Sequence, residues 1–463
     1  MNSTELAQWA HGLTLGAIPT DVQYSATRHL LDGIGNAIAA RRLGYGVPGW
    51  TVAGSLGGPE EAQPLTGISA LSAPAAAMSS AILVHSIDFD DTHAGGVVHP
   101  TAITLPAAFA VGQQVGATGA DVLLAAVVGL ETACRLGSVS PHGFHAGGLH
   151  ATAVVGPLTA ALVSGRLMGL TTAQLIAGLG IAGSSSGGLM EFLETDANTK
   201  SLHPGSAALN GIIAARLAQA GATGPHSVLE GKWGLYAAFS SRPVDLSVIT
   251  DALGSRWETA NIGIKSYPSC QLMHVTLDAV AAAVSTKKVD ASNISDIEVH
   301  VHPDSQTFVC RDSAGVTPPV STYDAKFDLP WSVAALLHDS AVDISTYTEE
   351  SIGRSDVMAT ARMVRVIDAP TDGPAVAAPG RVIVTLTDGQ VLVGTVPGSR
   401  GGAAFPLTDE ELRAKFTANC GGHPLAKELA DRVFGLSGES RLDGILALTA
   451  DIASGTEAAV TSA

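Results

Sequence analysis

The sequence predicts a mainly α-helical protein: a large all-helical domain with a smaller α+β lid domain inserted into it. Three observations carry this. Apolar residues recur at helical spacing through the first 260 residues and again after Leu407. Between those stretches, short runs alternate with a period of two around an Asp-Gly turn. The composition, 46% hydrophobic and 14% charged with 52 glycines, suits close-packed helices and not disorder. The expected division is 1–264 for the first helical part, 265–404 for the lid and 405–463 for the returning helical part.

In chain order, helices are expected over 26–40, 120–136, 151–168, 172–181 and 206–220, where apolar positions fall three and four apart. Gly- and Pro-rich punctuation at 44–49, 54–64 and 140–148 separates them. Thr171-Thr172-Ala173-Gln174 reads as a helix start. After Lys265 the pattern changes. Residues 294–302 alternate as a half-buried strand does, and 381–387 and 391–396 flank Asp388-Gly389 as a hairpin. Helices are expected there at 273–283, 330–338 and 351–362. Thr408-Asp409-Glu410-Glu411 opens a capped helix, and periodicity runs on to about Ala450. The last ten residues, small and polar, are expected to be mobile.

Several function classes are disfavoured. The uncharged stretch 101–120 contains Gln113, Gln114 and Pro106, and 152–170 contains Arg166, so both read as buried core helices and not as membrane spans. The N-terminus lacks the basic-then-apolar order of a signal peptide. Four scattered cysteines form no CxxC pair, against a disulfide framework or a structural zinc site. A cytoplasmic enzyme is the simplest expectation. A net charge of -17 disfavours nucleic acid and anionic membranes as partners. Yet no lysine precedes Lys200, and only eight occur in the chain. Cations this rare, placed inside motifs, suit a small anionic substrate.

Four constellations carry chemistry. His85-Ser86-Ile87-Asp88-Phe89-Asp90-Asp91-Thr92-His93, followed by His99, gathers three carboxylates and three imidazoles within fifteen residues. Such groups are costly to bury unless paired or used. Were the segment helical, His85 and Asp88 would share a face. Metal binding, proton transfer and helix capping all remain open from spacing alone, although no HExxH or comparable ligand pattern is present. His142, His145 and His150 lie in a glycine-rich loop running into an apolar helix, a setting that holds anions. Lys200 and His203 precede a helix of small residues, where a lysine suits a carboxylate clamp. Lys265-Ser266-Tyr267-Pro268-Ser269-Cys270, with His274, falls at the expected domain junction, although a free cysteine such as Cys270 is usually plain packing.

These motifs, with Leu149-His150-Ala151-Thr152 and Thr199-Lys200-Ser201-Leu202-His203-Pro204-Gly205, resemble the MmgE/PrpD family nearly end to end. Supporting echoes are Gly129-Leu130-Glu131, Gly187-Gly188-Leu189-Met190-Glu191-Phe192 and Ala414-Lys415-Phe416. That family contains 2-methylcitrate dehydratases, cis-aconitate decarboxylases and iminodisuccinate epimerases. The resemblance implies the helical domain with its lid, a homodimer, and a site for small di- or tricarboxylates that uses neither metal nor cofactor. It implies catalytic roles for Asp88, His99, His150 and Lys200, and substrate contacts from Thr92, His203, Lys265 and Cys270. His85, Asp90, Asp91 and His93 are then expected as structural support. Cys270 stands where the decarboxylase branch has a catalytic histidine, Trp331 where it has a tyrosine, and the loop from His93 to His99 is one residue longer. These departures count against cis-aconitate decarboxylation.

The expected chemistry is a carbanion made beside a carboxylate, with His150 or His99 as base or acid. Dehydration of a citrate-like polycarboxylate leads, followed by epimerisation and then decarboxylation. A metal-dependent hydrolase and a non-catalytic binding protein are the readings from other classes.

Overall fold

The computed structural model describes residues 1–195, 197–285, 289–310, 317–373 and 375–455. The expected mobile tail therefore lies, from residue 456 on, outside the described residues. The chain divides into two compact units, one of 1–190, 199–262 and 408–463, the other of 191–198 and 263–407. Segment 191–198 joins the second unit, an excursion that no sequence feature announced.

The first unit is built from helices, among them Thr20–Arg42, Ala73–His85, Thr101–Val115, Gly119–Ser138, Ala151–Leu167, Thr172–Gly183 and Thr199–Gln219. Thr101–Val115 and Ala151–Leu167 are buried almost throughout, as core helices must be. No helix among the described residues is long and apolar enough to cross a membrane. Thr199–Gln219 packs against Ala151–Leu167 and Ala73–His85 at very short range. A Cβ on Gly211 would sit 2.4 Å from Ala160 Cβ, and one on Gly156 would sit 2.6 Å from Ala207 Cβ. Glycine is required at both points because the backbones leave no room for a methyl group. Capping boxes at Thr118/Asp121, Thr171/Gln174 and Thr408/Glu411 start three helices. The segment after 408 adds Asp409–Asn419, Ala426–Phe434 and Asp443–Ser454, all packed on Thr20–Arg42 or on one another.

Two sequence expectations need correction here. The last long helix begins at Thr199, so Lys200 and His203 lie in its first two turns and do not precede it. Pro204 fixes a helical φ there, at the cost of one hydrogen bond to the Lys200 carbonyl. The segment from His85 to Asp91 is not helical. The helix stops at His85, and Asp88 takes φ of 53°, in the left-handed region.

The second unit holds a four-stranded mixed sheet ordered Val364–Asp368, Ile294–Val301, Gly380–Leu386, Val391–Val396. The hairpin at Asp388-Gly389 pairs its two strands antiparallel, with Val382 opposite Gly394. Helix Gln271–Val284 lies on these two strands. Val364–Asp368, parallel to Ile294–Val301, is a strand beyond those expected. The helix expected over 351–362 is two short ones, Glu349–Ile352 and Ser355–Ala361, broken at Gly353.

Candidate functional site

Three stretches of the helical unit converge: the turn and loop 85–99, the start of Ala151–Leu167, and the first turns of Thr199–Gln219. Asp88 is fully buried, and its Oδ1 accepts a 2.8 Å hydrogen bond from Lys200 Nζ. Lys200 is itself 6% exposed. A buried cation and carboxylate are each costly alone, and pairing offsets part of that cost. Asp88 has a left-handed backbone, a conformation that among L residues Asp and Asn tolerate best.

Beside this pair four imidazoles gather. Ring centroids are 4.7 Å apart for His85 and His99, 5.6 Å for His85 and His150, and 5.9 Å for His99 and His150. His203 completes the group, 5.3 Å from His150, with the two Nδ1 atoms 3.1 Å apart. Two of the rings are held from behind. Asp90 Oδ2 lies 2.7 Å from His85 Nδ1, and the Asp91 carbonyl lies 2.8 Å from His99 Nδ1. Thr92 Oγ1 is 3.2 Å from the same His99 nitrogen. The His99 backbone N–H donates to Thr152 Oγ1 at 3.1 Å, tying the loop to the start of Ala151–Leu167. His150 occupies the N-cap position, and its N–H donates to the Gly188 carbonyl at 2.9 Å.

Burial first, and then the nearby His203, Lys200, His85 and His99, hold His150 well below the usual imidazole value. His203 is pushed down to about 4 for the same leading reason. Both rings are therefore neutral at pH 7, with lone pairs able to accept protons.

Other groups in the opening motif serve the frame. Asp91 accepts from Thr101 N and Oγ1, anchoring the helix Thr101–Val115, and lies 2.9 Å from His29 Nδ1. His93 pairs with Glu258 at 3.3 Å. Farther back, Lys415 donates to the Phe89 carbonyl at 2.9 Å, stands 3.7 Å over the Phe89 ring, and pairs with buried Asp32 at 2.6 Å. His145 is the next ring outward from His150, at 6.4 Å, with His142 beyond it.

The helical unit thus brings together Asp88, Thr92, His99, His150, Lys200 and His203. Sequence reasoning assigned His85 to support, but its ring stands in the imidazole group. His85 is the last residue of the helix Ala73–His85, and its place depends on the turn that follows. Lys415 carried only a weak signal, a rare lysine in the Ala-Lys-Phe echo.

Lys265 and Cys270 belong to the second unit. Lys265 is buried, and its segment is held by Ile264 N to Gly401 O at 2.8 Å and Ser266 Oγ to Arg400 O at 2.9 Å. Cys270 is half-buried, precedes Gln271–Val284 as its N-cap, and donates its N–H to Lys326 O at 2.9 Å. Lys326, a buried cation that sequence reasoning passed over, donates to Pro268 O at 3.0 Å. Trp331 is fully buried, with its ring 5.6 Å from that of Tyr347.

Two family models match the chain, the MmgE/PrpD N-terminal domain over residues 4–246 and the MmgE/PrpD C-terminal domain over 267–433. A cis-aconitate decarboxylase of Aspergillus terreus is 28% identical over 96% of this chain and 95% of its own length. Cis-aconitate decarboxylases of Mus musculus and Homo sapiens are 29% and 28% identical over 74% of this chain, covering 71% and 72% of theirs.

Proposed function

Because the chain belongs to the MmgE/PrpD family, we propose that it is a cofactor-independent lyase acting on a small di- or tricarboxylate through a carbanion beside a carboxylate. The observation that carries this is the buried Lys200–Asp88 pair next to neutral imidazoles. Removing a proton beside a carboxylate creates extra negative charge, and a fixed ammonium in a dry site is the group that stabilises it. Lys200 binds a substrate carboxylate. His150 or His99 takes the proton. An imidazole with a depressed proton affinity is a poor base in the empty site. A polycarboxylate arriving beside it raises that affinity, so the base is strengthened by its own substrate. Thr92 and His203 contribute hydrogen bonds, and Asp88 holds Lys200 in place or carries the second proton.

Dehydration of a citrate-like substrate is the leading reaction. The C–H pair becomes the new C=C bond, the neighbouring C–O bond breaks, and a protonated imidazole delivers the proton that turns the leaving hydroxide into water. Decarboxylation is the second reading, and the names of the relatives favour it. There a C–C bond breaks, CO2 leaves, and the resulting carbanion takes a proton. Trp331 and Cys270, which stand where the decarboxylase branch has a tyrosine and a histidine, weigh on the other side. Incubation with 2-methylcitrate, citrate, cis-aconitate and related dicarboxylates in deuterated solvent separates the cases. An alkene with water loss supports dehydration, CO2 release supports decarboxylation, and deuterium in recovered substrate supports epimerisation. No turnover and no exchange across the panel would sink the lyase reading.

A further inference from the structure

We propose that His85, His99 and His150 form a site for a single zinc-class divalent ion, whose occupancy blocks the lyase activity. One ring nitrogen from each of the three lies within 4.8 Å of the others, and all three residues are buried. For His85 and His99, the partners of the far nitrogens set which atom faces inward. His85 Nδ1 is held by the Asp90 carboxylate, His99 Nδ1 by the Asp91 carbonyl, and His150 Nδ1 by His203. An Nδ1–H donated to a carboxylate or carbonyl leaves the lone pair on Nε2, which is the tautomer that binds metals. His85 Nε2 and His150 Nε2 are both buried without a hydrogen-bond partner.

The two buried, unpartnered nitrogens of His85 and His150 favour a positive charge placed between them and the His99 ring. A proton can supply it, and so can a metal ion. In a tetrahedral site with Zn–N near 2.0–2.1 Å, ligand nitrogens are about 3.4 Å apart. The rings therefore need to draw in by at most about 1.4 Å, which rotation about their side-chain bonds supplies. Imidazole ligands suit zinc, and the Asp90 carboxylate behind His85 adds compensating charge. The fourth position is left for water or a substrate carboxylate. The same lone pairs are needed to move a proton in the proposed reaction, so bound metal competes with turnover. This last step rests on the lyase reading; the metal site itself does not.

Full-length protein, stripped with chelator and freed of it, is titrated with cobalt(II). The expected result is the intense visible absorption of four-coordinate cobalt, saturating at one ion per chain and lost on adding zinc. Asp90→Asn weakens binding about 10- to 100-fold, His85→Ala abolishes the band, and His142→Ala, a nearby ring outside the set, retains it. Absence of the band, or equal binding by wild type and His85→Ala, overturns the site. With a turned-over substrate in hand, zinc is expected to inhibit reversibly; unchanged or faster turnover at saturating zinc overturns the blocking role. Turnover in chelator tests the lyase reading separately, and a protein without turnover still decides the metal site through cobalt.

Discussion

Replacing Lys415 by Met tests how the turn at 85–91 is held. Lys415 is 7% exposed at its side chain and pairs with Asp32, which is 1% exposed. Burial outweighs the lysine's influence and lifts Asp32 to about 6 from its ordinary 3.8. Between those two values the folded chain keeps a proton that the unfolded chain has released, so this group makes stability fall as pH rises from about 4 to 6. Removing Lys415 lifts the carboxyl further and extends that fall to higher pH. At pH 8 the variant leaves a buried carboxylate without its cation, a loss of about 3–5 kcal/mol. At pH 5 Asp32 is protonated in both folded proteins, and the remaining loss is the hydrogen bond to Phe89 and some packing, about 1–2 kcal/mol. The helical unit holds roughly 310 residues. At about 2.1 cal/mol/K per residue, each kcal/mol moves its melting point by roughly 1.5 °C. Thermal melts followed by circular dichroism are therefore expected to show drops of about 5–8 °C at pH 8 and about 2–3 °C at pH 5. Asp32→Asn added to Lys415→Met is expected to recover part of the pH 8 loss. Equal drops at both pH values, or a double variant no more stable than the single one, would refute the reasoning.

Other outcomes follow from the site. Lys200→Met is expected to lower kcat/KM about 100- to 1000-fold, as loss of a charge-stabilising donor does; a folded variant within tenfold of wild type removes Lys200 from the chemistry. Because His150 and His203 sit below the usual imidazole value, kcat/KM, which reports the free enzyme, is expected to stay level from pH 7.5 down to about 5.5. An acid limb with an apparent pKa between 6 and 7 would contradict neutral rings at that pH. Gly188 has φ of 98°, and a Cβ there would meet Ala153 Cβ at 2.3 Å and His203 at 3.3 Å. Gly188→Ala is expected to cost about 1–3 kcal/mol and most of the activity, whereas Gly187→Ala, with nothing within 4 Å, is expected to be near neutral in both.

Much of the fold was legible where local physics decides it. The spacing over 151–168 and 120–136 matched helices to within a few residues, and Asp388-Gly389 marked its hairpin because that turn demands those residues. Thr171 and Thr408 announced helix starts through their partners three residues on. The misses share a cause. Pro204 looks like a boundary from sequence, but Thr199–Gln219 closes over it because both flanks pack on neighbouring helices. Val364–Asp368 is five residues long and gains its strand character from pairing with Ile294–Val301. In the site, Asp88, His99, His150 and Lys200 were legible as motifs. The place of His85 was not, because it depends on a left-handed residue three positions later. The Asp32–Lys415 pair joins positions 383 residues apart, and local sequence holds no trace of that distance.

That separation also orders events at the ribosome. Phe89 leaves the exit tunnel 326 residues before the lysine that will clamp it. At roughly 5–20 residues per second, the wait is about 15 to 65 s. Throughout that interval Asp32 lacks its Lys415 partner, and the whole second unit, 191–198 and 263–407, is synthesised in between. The contact of Lys415 with the turn at Phe89 therefore belongs to the last helices made.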